Sequence, residues 1–242
     1  VIIKVCGMRD PENMLGLQQV PGVQWMGLIF HPASPRSFNR AHWPASLHSL
    51  PPLSPLERVG VFVNQPLAAV RATARNFALD RLQLHGDESP DYCRELAAEW
   101  PLIKAFRPNQ SIDWANVAAY GDCCTHLLFD TAGSQPGGNG QRFDWSVLQR
   151  YQGPAPFLLA GGLGPAALDA LLAFQHPHWA GIDLNSGFEI RPGLKDLALL
   201  REFIRAFLEM RGASGPAVPL TAIPAATHNE THTSQPTSTS TP

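Results

Sequence analysis

The opening stretch Ile2-Ile3-Lys4-Val5-Cys6-Gly7-Met8-Arg9-Asp10-Pro11-Glu12-Asn13 sets the pattern for the whole chain. Ile2–Val5 is short, apolar and β-branched, which reads as a strand. A cysteine followed at once by glycine ends it. Asp10-Pro11-Glu12 then reads as a helix start, with a capping acid, proline at the first helical position and an early carboxylate. This strand, turn and helix unit recurs. Further strands are predicted at Gln24–Phe30, Arg58–Val63, Arg81–Leu84, Leu102–Phe106, His126–Asp130, Phe157–Ala160 and Gly181–Leu184. Helices are predicted from Pro66 to about Asn76, from Ser89-Pro90-Asp91, from Gly164-Pro165 and over Leu194–Met210. Pro108 to Asp122 is poor in helix signals, so the fifth helix is expected to be short or missing. Strands that alternate with helices imply a parallel sheet with right-handed crossovers. Eight such units over about 210 residues predict an α/β chain folded as a small (β/α)8 barrel. The alternative, an open doubly wound sheet, is disfavoured because no G-x-G-x-x-G follows the first strand.

The chain has 242 residues, a 44% hydrophobic fraction and a formal net charge of -2. That is enough apolar material for a large core. It gives no electrostatic case for a nucleic acid or membrane partner, and Lys and Arg form no basic run. No apolar stretch approaches the ~20 residues that cross a bilayer, and no signal peptide is visible. The cysteines are Cys6, Cys93, Cys123 and Cys124. They form no C-x-x-C pair, so a zinc site is not expected from their spacing. Reduced thiols in a chain of this size predict the cytoplasm. From residue 212 to 242 the composition turns to Thr, Ser, Pro and Ala, too apolar-poor to offset the entropy of ordering. The expected organisation is a barrel over residues 1–211 and a disordered tail or linker over 212–242.

Barrels of this kind carry their active sites at the carboxyl ends of the strands. Those ends hold Cys6, the loop Ser34-Pro35-Arg36, His85-Gly86, Asp130, Gly161-Gly162 and Asp183 with Ser186-Gly187. Lys4 and Cys6 are two apart on a strand and point the same way. Lys4 is expected below the thiol, paired with Asp183 if the barrel closes, and its ammonium is expected to lower the Cys6 pKa. Asp130 follows three large apolar residues, so partial desolvation suits it to donate a proton; capping of the next turn is the plainer reading. Arg36 on a proline-flanked loop suits a two-point grip on a carboxylate. Gly161-Gly162 and Ser186-Gly187 leave bare backbone N–H groups after the last two strands, the usual phosphate grip of such barrels. Tight turns alone would also explain those glycines. His31, His85 and His126 lie on different units at irregular spacing, which argues against a metal site.

Taken together, the motifs resemble phosphoribosylanthranilate isomerase. The resemblance rests on Lys4-Val5-Cys6-Gly7, Gly27-Leu28-Ile29-Phe30 with Ser34-Pro35-Arg36, Val59-Gly60-Val61-Phe62, and Gln83-Leu84-His85-Gly86. It continues through Asp130, Gly137-Gly138-Asn139-Gly140, Arg142-Phe143-Asp144-Trp145, Leu159-Ala160-Gly161-Gly162-Leu163, and Asp183 with Ser186-Gly187 and Pro192-Gly193-Leu194-Lys195-Asp196. It covers roughly residues 2–210 in family order. The resemblance implies a cofactor-free Amadori rearrangement of N-(5-phosphoribosyl)anthranilate in tryptophan biosynthesis. By resemblance, Asp130 is the general acid and Cys6 the general base. Arg36 would hold the anthranilate carboxylate, with His85 and Asp183 among the substrate-binding groups and the two glycine loops on the phosphate. A fusion or association with a neighbouring tryptophan-pathway enzyme would account for a linker after residue 211. The rivals are a histidine-pathway isomerase of the same fold, which would carry a second aspartate where Cys6 stands, a barrel decayed to a scaffold, and a thiol nucleophile activated by His85.

Overall fold

The computed structural model describes residues 1–39, 56–107, 112–130 and 145–213. Eight parallel strands close into a barrel in sequence order. They are β1 (Ile2–Val5), β2 (Trp25–Ile29), β3 (Glu57–Phe62), β4 (Arg81–Leu84), β5 (Leu102–Phe106), β6 (His126–Asp130), β7 (Phe157–Ala160) and β8 (Trp179–Leu184). Five of the eight have the bounds read from the sequence. β8 begins two residues earlier than predicted, because Trp179 and Ala180 extend it ahead of Gly181.

Helices α1 (Pro11–Leu17), α2 (Leu67–Asn76), α3 (Pro90–Ala97), α4 (Trp114–Ala118), α5 (Leu168–Ala173) and α6 (Leu197–Ala213) fill the crossovers. The expected caps form: the Asp10 carboxylate accepts from the Asn13 N–H, and the Ser89 hydroxyl from that of Tyr92. The fifth unit's helix is short, as expected, with five residues in α4. The predicted helix over Leu194–Met210 is corrected. Leu194–Lys195 forms a strand, β10, that pairs antiparallel with β9 (Glu189–Arg191). Pro192-Gly193 makes the turn between them, with Gly193 at φ +83°. The helix starts only after Asp196, whose carboxylate caps Ala198 and Leu199, and it runs to Ala213.

Alternation along the strands divides the core in two. Trp25, Val59, Ile103, Ala105, Leu128, Leu158 and Ala160 pack together inside the barrel. The larger cluster, with Ile3, Val5, Leu28, Phe62, Phe129, Phe157 and Phe207, lies between strands and helices. Closure is made by β1 on β8, with Lys4 opposite Asp183.

The amino-terminal mouth is plugged by aromatic and ionic contacts. His126 meets Trp25 edge to face at 5.1 Å, and the Arg81 guanidinium lies 4.6 Å over Trp25 and pairs with Glu57. Burial, and then the Arg81 charge, push the His126 imidazole down to about 4. The unfolded chain therefore binds a proton at ordinary histidine pH that the folded protein refuses. Stability from this group is full above pH ~6.5 and falls as pH drops toward 4, by about 3 kcal/mol. Urea unfolding of the protein and of His126→Leu at pH 7 and pH 4.5 should show a smaller acid loss in the variant; equal losses would contradict this assignment.

Candidate active site

All eight strands point their carboxyl ends to one mouth, and there the predicted residues converge. Cys6 follows β1 directly, its N–H bonded to the Leu184 carbonyl at 2.8 Å. The thiol has room only because Gly27 faces it: a Cβ built on Gly27 would stand 2.7 Å from Cys6 Sγ. Gly7 turns at φ +76°, where a side chain is strained. An added Cβ there would press on Asn185 Oδ1 at 2.8 Å and Arg36 Cδ at 2.9 Å. This glycine lets loops from β1, β2 and β8 meet.

Lys4 is fully buried and donates to Asp183 Oδ2 at 2.7 Å, the pairing expected from barrel closure. Burial alone would lower the Lys4 ammonium, but Asp183 and Cys6 outweigh it and hold the charge on. Asp183 Oδ1 is buried and has no hydrogen-bond partner among the described residues. The expected lowering of the Cys6 pKa is corrected. Burial pushes the thiol up, and Lys4 opposes it without prevailing. The reason is visible in the contact: the Lys4 charge is already matched by Asp183, which itself disfavours a second anion.

Asp130 ends β6 with its side chain 20% exposed. Its Oδ2 lies 3.3 Å from His85 Nε2 and 4.0 Å from Arg107 Nε. Nδ1 of His85 lies 3.0 Å from the buried Gln83 amide nitrogen, which orients the ring. His85 is thus brought to the acid, not to Cys6 among its hydrogen-bond and ion-pair partners.

Arg36 is held differently from expectation. Its Nε and Nη2 donate to Glu189, the Nη2 contact at 2.6 Å, so one edge of the fork is occupied. Nη1 has no hydrogen-bond partner among the described residues. Glu189 also accepts from Lys195 Nζ at 2.7 Å and the Gly193 N–H at 3.0 Å. Burial would raise this carboxyl, but the hydrogen bonds from Arg36 and Lys195 hold it below the usual range. Lys195 donates in turn to Asn185 Oδ1 at 2.7 Å. Sequence reasoning assigns no site role to Glu189 or Lys195. The Pro192-Gly193 turn was the available signal, since it folds Lys195 back onto Glu189.

The two glycine loops touch each other. Gly161 and Gly162 have φ of +84° and +63°. A Cβ on Gly187 would stand 2.2 Å from the Leu163 carbonyl oxygen and 2.7 Å from Gly164 Cα. The backbone N–H groups of Gly162, Gly164, Ser186 and Gly187 donate no hydrogen bond within the described residues. Four free donors on two touching loops can cradle an anion. Around the barrel these loops, on β7 and β8, stand between Asp130 on β6 and Cys6 on β1.

His31, His85 and His126 do not gather. His126 is at the opposite end of β6 from Asp130, and His31 lies on the loop after β2. Three thiols do gather, away from this mouth: Cys93, Cys123 and Cys124 have sulfur atoms within 4.8 Å of one another. Gly137-Gly138-Asn139-Gly140 and Arg142-Phe143-Asp144 lie outside the described residues.

Residues 3–206 match the sequence model of a family described as N-(5'phosphoribosyl)anthranilate (PRA) isomerase. A Phocaeicola vulgatus protein named N-(5'-phosphoribosyl)anthranilate isomerase is 47% identical over 207 residues, 84% of this chain and 96% of that protein. One of the same name from Parabacteroides distasonis is 43% identical, covering 90% of this chain and 98% of the relative. The crystal structure of phosphoribosyl anthranilate isomerase from Thermotoga maritima superposes with a TM-score of 0.71 at 30% identity, over 88% of this chain and 99% of the other. A structure of such an isomerase in complex with reduced 1-(o-carboxyphenylamino)-1-deoxyribulose 5-phosphate gives 0.69 at 29% identity, over 86% of this chain and 99% of the other.

The raised thiol is open to direct titration. Thiolate absorbance lost on Cys6→Ser, measured without substrate, should appear only above the ordinary thiol range of about pH 8.5. A difference already complete at neutral pH would show that the Lys4 charge prevails.

Proposed function

We propose how this mouth performs its chemistry from the premise that the chain belongs to the N-(5'-phosphoribosyl)anthranilate isomerase family. The protein is an isomerase of tryptophan biosynthesis that converts N-(5'-phosphoribosyl)anthranilate to 1-(2-carboxyphenylamino)-1-deoxyribulose 5-phosphate. In our reading the phosphate takes the free N–H groups of Gly162, Gly164, Ser186 and Gly187, with Gly161 shaping the turn. The anthranilate carboxylate takes Arg36 Nη1, the donor that Glu189 leaves unused. A substrate held by both ends is oriented before any bond changes.

Asp130 gives its proton to the furanose ring oxygen. The bond from that oxygen to C1 breaks as the nitrogen lone pair forms an iminium. With the iminium beside it, the Cys6 thiol gives its proton to solvent water, and the thiolate so formed takes the C2 proton. The C–H electron pair becomes the C1–C2 double bond, and nitrogen recovers its lone pair in an enolamine. The enol then yields its proton and C1 gains one, giving the ketone. The raised Cys6 thiol fits this order of events. An iminium beside the sulfur acidifies both the thiol and the C2–H, so the base develops where the acid has already acted. Asp183 Oδ1 supplies an acceptor for a sugar hydroxyl, and His85 steadies Asp130.

The observation that carries this reading is the order around the mouth, with acid on β6, anion cradle on β7 and β8, and thiol on β1. No helix among the described residues is long and apolar enough to cross a membrane, and we place the protein in the cytoplasm. We read the segment after α6 as a tail or linker outside the catalytic unit, suited to joining a neighbouring tryptophan-pathway enzyme.

In a fluorescence assay with freshly generated substrate, Cys6→Ala and Asp130→Asn should each lower kcat about 100-fold or more. Near-normal turnover in either would overturn that role. Arg36→Ala should chiefly raise KM, as lost uniform binding does; an unchanged KM would remove Arg36 from the carboxylate. Truncation after residue 213 should leave kcat/KM unchanged, and a loss would place the tail in the catalytic unit.

A further inference from the structure

We propose that Cys93, Cys123 and Cys124 form a three-thiolate site for one zinc ion in the layer between the barrel wall and its helices. Cys93 projects from α3, while Cys123 and Cys124 precede β6. All three are free and buried, and their sulfur atoms lie within 4.8 Å of one another. The Cys123 and Cys124 sulfurs are 3.9 Å apart. Zinc–sulfur bonds of about 2.3 Å in a tetrahedral shell place sulfurs roughly 3.8 Å apart, so one ion fits with little movement.

Soft thiolate ligands favour zinc and monovalent copper. Burial chooses between them, because three thiolates leave one negative charge around a divalent ion and two around a monovalent one. The surroundings suit the smaller charge. The buried Lys104 and Glu88 pair with each other at 3.1 Å and so leave no spare positive charge to offset a second negative one. Binding releases three protons, one from each thiol, so affinity rises with pH. A water would complete the tetrahedral shell as fourth ligand. The site is separate from the isomerase mouth. It would pin the approach to β6, the strand that ends in Asp130.

The test uses the reduced, metal-free full chain titrated with Cd2+, whose thiolate complexes absorb in the ultraviolet. We expect a charge-transfer band that saturates at one ion per chain and is displaced by Zn2+. It should survive Cys6→Ser and weaken about 100-fold or more in Cys93→Ala and in Cys124→Ala. Zn2+ should also raise the melting temperature of the wild type and not of Cys93→Ala. Isomerase activity of the metal-free variants reports that they fold, since none of these cysteines touches the mouth. Absence of the band in the reduced protein would overturn the proposal. So would a band lost in Cys6→Ser and kept in Cys93→Ala, which would place the ion on the catalytic thiol.

Discussion

The barrel closes on a buried ion pair, and its active mouth is organised around that pair. Lys4 on β1 and Asp183 on β8 face each other across the seam at 2.7 Å, in the register that closes the sheet. Removing one partner of such a pair leaves an uncompensated buried charge, at a cost of roughly 3–5 kcal/mol. The same contact sets the chemistry above it. Lys4 is too well matched by Asp183 to offset burial at Cys6, so the thiol is pushed above its ordinary range. Asp183 keeps its other oxygen buried and, among the described residues, without a hydrogen-bond partner.

A second pairing does comparable work at the rim. Glu189 takes one edge of the Arg36 fork and is fixed by Lys195 and the Gly193 N–H. A guanidinium anchored this way presents a single defined donor rather than a mobile charge, which narrows where a carboxylate can sit. The loops after β7 and β8 approach each other through backbone. Gly187 lies so close to Leu163 and Gly164 that the two loops act as one surface. In the binding mode proposed above, these two rigid surfaces orient the substrate with the reacting carbons between them.

Much of this was legible in the sequence because it depends on local chemistry. Strand alternation, the caps at Asp10 and Ser89, and the glycines after β7 and β8 announce themselves within a few residues. Parallel topology then forces β1 against β8, which is why the Lys4–Asp183 pair could be deduced. Features that depend on distant approach were not legible. Leu194–Lys195 has helical composition, yet the Pro192-Gly193 turn folds it onto β9, and so Glu189 and Lys195 were overlooked. The Cys6 shift is not legible because it depends on how deeply the thiol is buried and on how fully Asp183 matches the Lys4 charge across the seam. Cys93 stands thirty residues from Cys123, and no spacing rule brings those sulfurs together.

The account turns on a buried thiol that removes one particular proton. Single-turnover reaction of substrate deuterated at C2, with release of label to water followed over time, tests that step in isolation. The wild type should show a primary isotope effect, and Cys6→Ala should retain the label while still binding the reduced product analogue. Release of the label by Cys6→Ala at the wild-type rate would contradict the account.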